Sequence, residues 1–284
     1  MSIAETTAGV VMRRESLVRS TVDYYLTTIR TQLQTQFQYR AATYMYMVAL
    51  VAEPVIYLVV WTTIARSHGG TVQGIGVGQL AAYYVVWTLV RGWNVVFTPF
   101  GWEWRVREGE LSASMLRPIH PIHFELAWWA GQKLVWLVMY APVFVALTFI
   151  FHPALHPNVV QVVVFIVAIW GAYVIRTLNN FILGMITIWT TRASAIFQLW
   201  FLSELLLSGR LLPLQLMPRW VQSLTAWLPF KWTFYFPIEA LVGSMSTGTL
   251  LRGLGFQALW IAICGLGMFA SWRIATRYYT AVGH

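Results

Sequence analysis

Four ionisable residues stand inside stretches that are otherwise apolar. Glu53 lies in "VALVAEPVIYLVV", Arg91 in "VVWTLVRGWNVV", Arg176 in "GAYVIRTLNN" and Glu204 in "LWFLSELLLSG". A charge at bilayer depth costs roughly 2.5–3.5 kcal/mol on insertion scales, so such a group faces the interior of a bundle and finds a partner. Glu53 with Arg91, and Arg176 with Glu204, balance charge two by two. Chemically the four offer a proton or ion pathway. Structurally they offer ion pairs that hold helices together or a polar wall beside a substrate path. With no Asp in any apolar stretch, a proton relay is thinly supplied, and structural pairing is the stronger reading.

Other reactive groups are scarce. The histidines fall in two close pairs, His120 with His123 and His152 with His156. Each pair sits in a proline-interrupted loop without the carboxylates that complete a metal site, so ordinary loop histidines are expected and no metal. The single cysteine, Cys264, excludes an intrachain disulfide and reads as a small buried apolar residue. The two lysines, Lys133 in "AGQKLVW" and Lys231 in "LPFKWTF", follow no glycine-rich loop. There is no phosphate-binding G-x-x-x-x-G-K-[ST] run, no H-E-x-x-H and no G-x-S-x-G. Enzymatic chemistry within this chain is not expected, and no cofactor is expected in it.

The elements that must position these groups follow from composition. Of 284 residues 58% are apolar and 10% charged, against about 25% charged in soluble domains. The expected fold is all-α, a polytopic integral membrane protein. Six runs are long enough to cross a hydrocarbon core that takes roughly 20 helical residues. They are 44–65, 78–99, 126–150, 159–189, 194–213 and 252–275. Residues 1–43 form a preceding tail, polar at its start and without the apolar run and cleavage site of a signal peptide. Within it Leu17, Tyr24, Tyr25, Ile29, Leu33 and Phe37 recur at helical spacing among Arg, Gln and Thr. That pattern predicts an amphipathic helix lying at the membrane surface, or one solvated and packed on a partner.

The net charge of +9 follows membrane topology better than nucleic-acid binding. Counted by side, eleven Lys and Arg fall with the termini and at most five, including Arg210, on the other side. The positive-inside rule then places both termini in the cytoplasm. The same side receives a charged patch in "GWEWRVREGELSASMLRPIHP". Arg107, Glu108, Glu110 and Arg117 surround Leu111, Met115 and Leu116 there, and Pro118 closes the run. Glu108 and Glu110 near a helix start complement its dipole. The three apolar residues form a short stripe suited to docking. Past the fifth run, residues 208–250 stay apolar but are broken by Pro213, Pro218, Pro229 and Pro237. Irregular backbone at membrane depth is tolerated only when buried in protein.

The sequence resembles ABC type-2 exporter permeases, in particular a small-permease subfamily in which two different six-span subunits share one ATPase. Three stretches carry the likeness: "EGELSASMLRPIHP", "LLLSGRLLPLQLMPRWVQSLTAWLPFKWTFYFPIEALVG" and the ending "RYYTAVGH". Thr280 stands where the family often has Ser. The resemblance implies that residues 107–118 are the coupling helix that docks on a P-loop ATPase. It implies that ATP and magnesium belong to that partner, and that a second six-span permease pairs with this one, a heterodimer before a homodimer. The first and fifth spans would form that contact. Short helices carrying Pro213, Pro218, Pro229 and Pro237 would re-enter the outer leaflet as an exit gate. It further implies outward transport across a cell membrane, that of the bacterial cytoplasm. The rival function is an ion-coupled secondary transporter using Glu53, Arg91, Arg176 and Glu204, although no internal repeat supports it.

Overall fold

The computed structural model describes residues 17–190, 193–243 and 245–279. Arg13, Arg14, Arg192, Thr280 and the final Ala281–His284 lie outside them. Apolar runs have become helices wherever no Gly, Pro or Asn interrupts them. In order these are α1 (Leu17–Gln38), α2 (Arg40–Ser67), α3 (Val77–Trp93), α4 (Pro99–Arg107), α5 (Glu110–Met115), α6 (Pro121–Phe151), α7 (Val159–Met185), α8 (Ser194–Leu207), α9 (Arg219–Ala226), α10 (Tyr235–Val242) and α11 (Thr247–Tyr278). A two-residue antiparallel pair, Thr71–Val72 with Ile75–Gly76, closes the glycine-rich turn before α3. The chain is otherwise all-α.

Among the described residues four helices are long and apolar enough to cross a membrane: α2, α6, α7 with its 3-10 extension to Ile188, and α11. The second and fifth expected spans come out shorter. The second ends at Trp93 rather than 99, because the Asn94 cap breaks the helix before Pro99 restarts it. The fifth ends at Leu207 rather than 213, where Gly209 turns with φ +82°. At 17 and 14 residues these two helices measure about 25 and 21 Å.

Buried side chains serve the backbone that leaves the helix after α3. Lys133 Nζ donates to the Val95 carbonyl and Asn180 Nδ2 to that of Phe97 at 2.8 Å. An unsatisfied carbonyl in an apolar medium costs several kcal/mol, so these donors are what permit the irregular segment. Lys133 is fully buried, with its ammonium 5.2–5.7 Å from the ring centres of Trp129, Trp136 and Tyr173.

The helix α7 is central, packing on α11, α10 and α4. Gln257 on α11 donates to the carbonyls of Ala168 and Trp232 and ties α11, α7 and the proline-rich segment together. Each proline of that segment opens a short helical piece. Pro213 caps the 3-10 turn Leu214–Leu216, Pro218 caps α9, Pro229 starts the turn Pro229–Trp232, and Pro237 stands in the first turn of α10. Proline suits these places because the first-turn N–H groups have no intrahelical partner.

The N-terminal helix α1 packs along α6. Tyr25 Oη meets His123 Nδ1 at 2.9 Å, and Gln32 is buried. The expected apolar stripe divides. Tyr24, Tyr25, Ile29 and Leu33 are half-buried, while Phe37 stands exposed beside a separate exposed line of Val18, Val22 and Leu26. Thus α1 docks on the bundle through one face and offers a second apolar face outward.

Candidate functional site: the α4–α5 hairpin and the buried charges

The charged patch folds as a helical hairpin. Its turn is Gly109, at φ +72°, a left-handed conformation in which a side chain is strained and Gly is not. Glu108 caps α4 and Glu110 opens α5. The α5 helix ends at Met115, with Leu116 as cap, before Pro118 is reached.

Three ties hold the hairpin to the bundle. Trp102 packs on Phe181 at 4.6 Å between ring centres, and a Cβ on Gly184 would lie 2.7 Å from the Trp102 Cβ. Arg105 forms an ion pair with the buried Glu125 of α6, whose other oxygen accepts from Trp129 Nε1 at 3.1 Å. Ser112 Oγ lies 3.0 Å from Tyr279 Oη at the end of α11.

The expected apolar stripe is not all available for docking. Leu111 is 0% exposed, packed in the same core as Trp102, Ile122 and Ala275, with Met115 half-buried against it. Leu116 points the other way and is 88% exposed. The outward surface therefore comprises Arg107, Glu108, Glu110, Ala113, Leu116, Arg117 and Pro118. Glu110 and Ala113 lie one turn apart on α5, and Arg117 follows just past its end. Arg107 also pairs with Glu103 one turn earlier. Between α1 and the hairpin lies a cavity of about 240 Å³ lined by Tyr24, Arg105, Glu110 and Arg117.

The intramembrane charges pair as the sequence leads one to expect, with one addition. Arg91 Nε lies 3.2 Å from Glu53, and Arg176 Nη2 lies 2.9 Å from Glu204. Arg210, expected in an outer segment, reaches both oxygens of Glu53 at 2.7 Å. Its position three residues past α8 brings it level with the middle of α2. Phe234, fully buried, lies between the two groups, 5.4 Å from the Arg176 guanidinium and 5.9 Å from that of Arg210. Two carboxylates and three guanidiniums thus gather around an aromatic ring.

Sequence reasoning missed Arg210, Lys133 and Glu125 as members of this interior network. Lys133 carried a signal, being a Lys inside an apolar run. Arg210 and Glu125 carried less, since each sits at the edge of such a run. The histidines hold structural places. His120 Nδ1 accepts from the Ile122 N–H as the cap of α6, with its ring 4.7 Å from that of Trp272. His152 takes φ +47° at the far end of α6. Among the described residues no group of three or more His, Cys, Asp or Glu gathers to hold a metal.

Several long apolar helices mark a multi-pass membrane protein. The model for the ABC-2 family transporter proteins matches residues 51–283. The chain belongs to that family and is the permease of an ABC transporter. No curated protein sequence matches it. Permeases of this family work with ATPase subunits.

Proposed function

We propose that this permease is the membrane subunit of an ATP-driven exporter, and that the α4–α5 hairpin is the coupling element on which a separate P-loop ATPase docks. The observation that carries this is the outward face of the hairpin. Leu116 stands 88% exposed amid Glu108, Glu110, Arg117 and Pro118, on a unit anchored to α6, α7 and α11. An apolar knob ringed by charges suits a cleft in a partner. Anchors to three helices give a push on the hairpin a mechanical path into the bundle. ATP and magnesium belong to the ATPase, and the permease supplies the moving path.

The hairpin shares its end of the bundle with the start of α2 and with Arg273 and Arg277 of α11. That supports a cytoplasmic placement of both termini, in a cell membrane of bacterial cytoplasmic type. Arg210 meets Glu53 instead of standing in an outer loop, which lowers the outer count of cations and strengthens the same assignment. The proline-started pieces between Pro213 and Pro237 then face outward as the exit gate. Exposed apolar residues on α2 (Val48, Ile56, Val59) and α8 (Leu199, Leu202, Leu206) supply a face for a second permease, a different chain before a copy. The ion-coupled alternative loses ground because Glu53 and Glu204 each already have an arginine partner within the chain.

The test is co-purification from native membranes of wild type and a Glu108→Arg, Leu116→Asp double variant. Leu111→Asp would bury a charge and test folding instead. The expected result is a P-loop ATPase with the wild type and at least a tenfold loss with the variant, at equal yield of monodisperse permease. An ATPase retained at wild-type level by the variant would overturn the docking assignment.

A further inference from the structure

Among the described residues, the buried and half-buried acids inside the helix bundle have an arginine partner, with one exception. Glu53 has Arg91 and Arg210, Glu125 has Arg105, and Glu204 has Arg176. The exception is Glu239 on α10, 6% exposed. It makes no ion pair with any described residue. Gln215 Nε2 donates to its Oε2 at 3.0 Å, and its Oε1 makes no hydrogen bond among the described residues. A buried carboxylate without a compensating cation is costly, and proteins seldom keep one without a use.

Glu239 borders a cavity of about 510 Å³ at the end of the bundle opposite the α4–α5 hairpin. That size falls in the usual range of about 300–1,000 Å³ for small-molecule sites. Its polar lining comes from Gln79 and Tyr83 of α3, His156 of the loop before α7, Gln161 of α7, and Gln215 with Glu239. Several of these are held in place. Gln79 and Gln161 each accept from a backbone N–H at the start of their own helices. Gln161 also donates to the Gly243 carbonyl at 2.7 Å, and Tyr83 Oη to that of Gly209 at 2.6 Å.

We propose that this cavity binds a primary alkylammonium group, with Glu239 as its counter-charge and the Gln215 side-chain carbonyl as a second acceptor. An ammonium needs acceptors and one negative charge, which is what the cavity holds. Among the described residues no group of three or more His, Cys, Asp or Glu gathers there to hold a metal. A binding step of this kind involves no bond making, only the pairing of two charges removed from water.

Burial also pushes the Glu239 carboxyl up to about 7, against a smaller downward pull from Gln215. The other titratable groups facing it are Tyr83, Tyr235 and His156. Lys231 lies over the Tyr235 ring at 5.6 Å without pairing with Glu239. The ligand's cation pairs only with the ionised carboxylate, so affinity rises with pH through neutrality. Between pH 6 and pH 8 the ionised share grows about tenfold.

The experiment is isothermal titration of n-butylammonium chloride into the purified full-length permease in detergent, at pH 6 and pH 8. 1-Butanol and sodium chloride serve as controls. The expected result is saturable binding of the amine, about tenfold tighter at pH 8, with neither control binding. Glu239→Gln, which keeps shape and removes charge, abolishes it. Gly243→Ala, whose Cβ would fall 2.6 Å from Glu239 Oε2, weakens it. His156→Ala leaves the pH dependence in place. Equal binding of 1-butanol, undiminished binding to Glu239→Gln with its normal thermal melt, or no binding to the wild type would each overturn the proposal. No ATPase is present in this titration, so the result is independent of whether the hairpin couples to one.

Discussion

Glu53 carries two arginines, and its removal tests whether the interior charges are structural. Glu53→Gln leaves Arg91 and Arg210 facing each other without a counter-ion. Arg91→Gln leaves the two-oxygen contact of Arg210 intact. The expected order of melting temperature in detergent is therefore wild type above Arg91→Gln above Glu53→Gln. An ion pathway predicts instead lost transport with unchanged melting. Glu204→Gln strands the buried Arg176, and breaking a buried pair from one side costs about 3–5 kcal/mol. A double replacement of Arg176 and Glu204 by Met and Leu recovers most of that loss, read in the same melting experiment. His120 gives a pH signature. Its burial, and then the neighbouring His123, hold it down at about 4 against an ordinary 6.5. The folded protein thus favours neutral His120, so this contribution is present above about 6.5 and is lost as pH falls toward about 4. His120→Asn keeps a capping acceptor and should flatten the acid limb of a melting-versus-pH curve.

Among the elements, the α4–α5 hairpin has the most to lose from loosened anchors. Gly184 lets Trp102 approach the α7 backbone, and Gly184→Leu drives a side chain into that ring. The hairpin should detach while the long helices persist, seen as new proteolysis near Gly109 with helical circular dichroism largely kept. Trp102→Ala should act alike by opening a cavity, at about 3–5 kcal/mol of local stability. Gly109→Val strains the turn directly. The shortness of α3 and α8 belongs at this scale too. Lys133→Met removes the donor to the Val95 carbonyl and should destabilise the chain although it removes a buried charge.

For the whole molecule the outward apolar faces of α2 and α8 matter. Side chains such as Leu199 and Leu202 meet lipid or a second permease. Cysteines placed at Leu199 and Ile56 in the paired chains should cross-link in native membranes if these helices form the permease contact. Cysteines on the exposed face of α7, at Val163 and Val167, should not. Efficient cross-linking at α7 alone would move the dimer face there.

Composition and periodicity determined that this chain is helical and crosses a membrane, because a hydrocarbon solvent admits few ways of satisfying a backbone. They also determined that Glu53, Arg91, Arg176 and Glu204 would pair, since a lone charge at that depth is too costly, and the motifs around 107–118 and 205–243 pointed to the permease family. Local backbone chemistry accounts for the helical starts at Pro99, Pro121 and Pro229 and for the turn at Gly109. Only the tertiary structure decided which side of α5 faces the core, because a six-residue helix has too few positions for its periodicity to distinguish Leu111 from Leu116. It alone brought Arg210 to Glu53 across 157 residues and set Lys133 beneath the Val95 carbonyl. It also left Glu239 without a cation beside a polar cavity. Such pairings depend on how helices distant in sequence settle against one another, and no spacing along the chain encodes that directly.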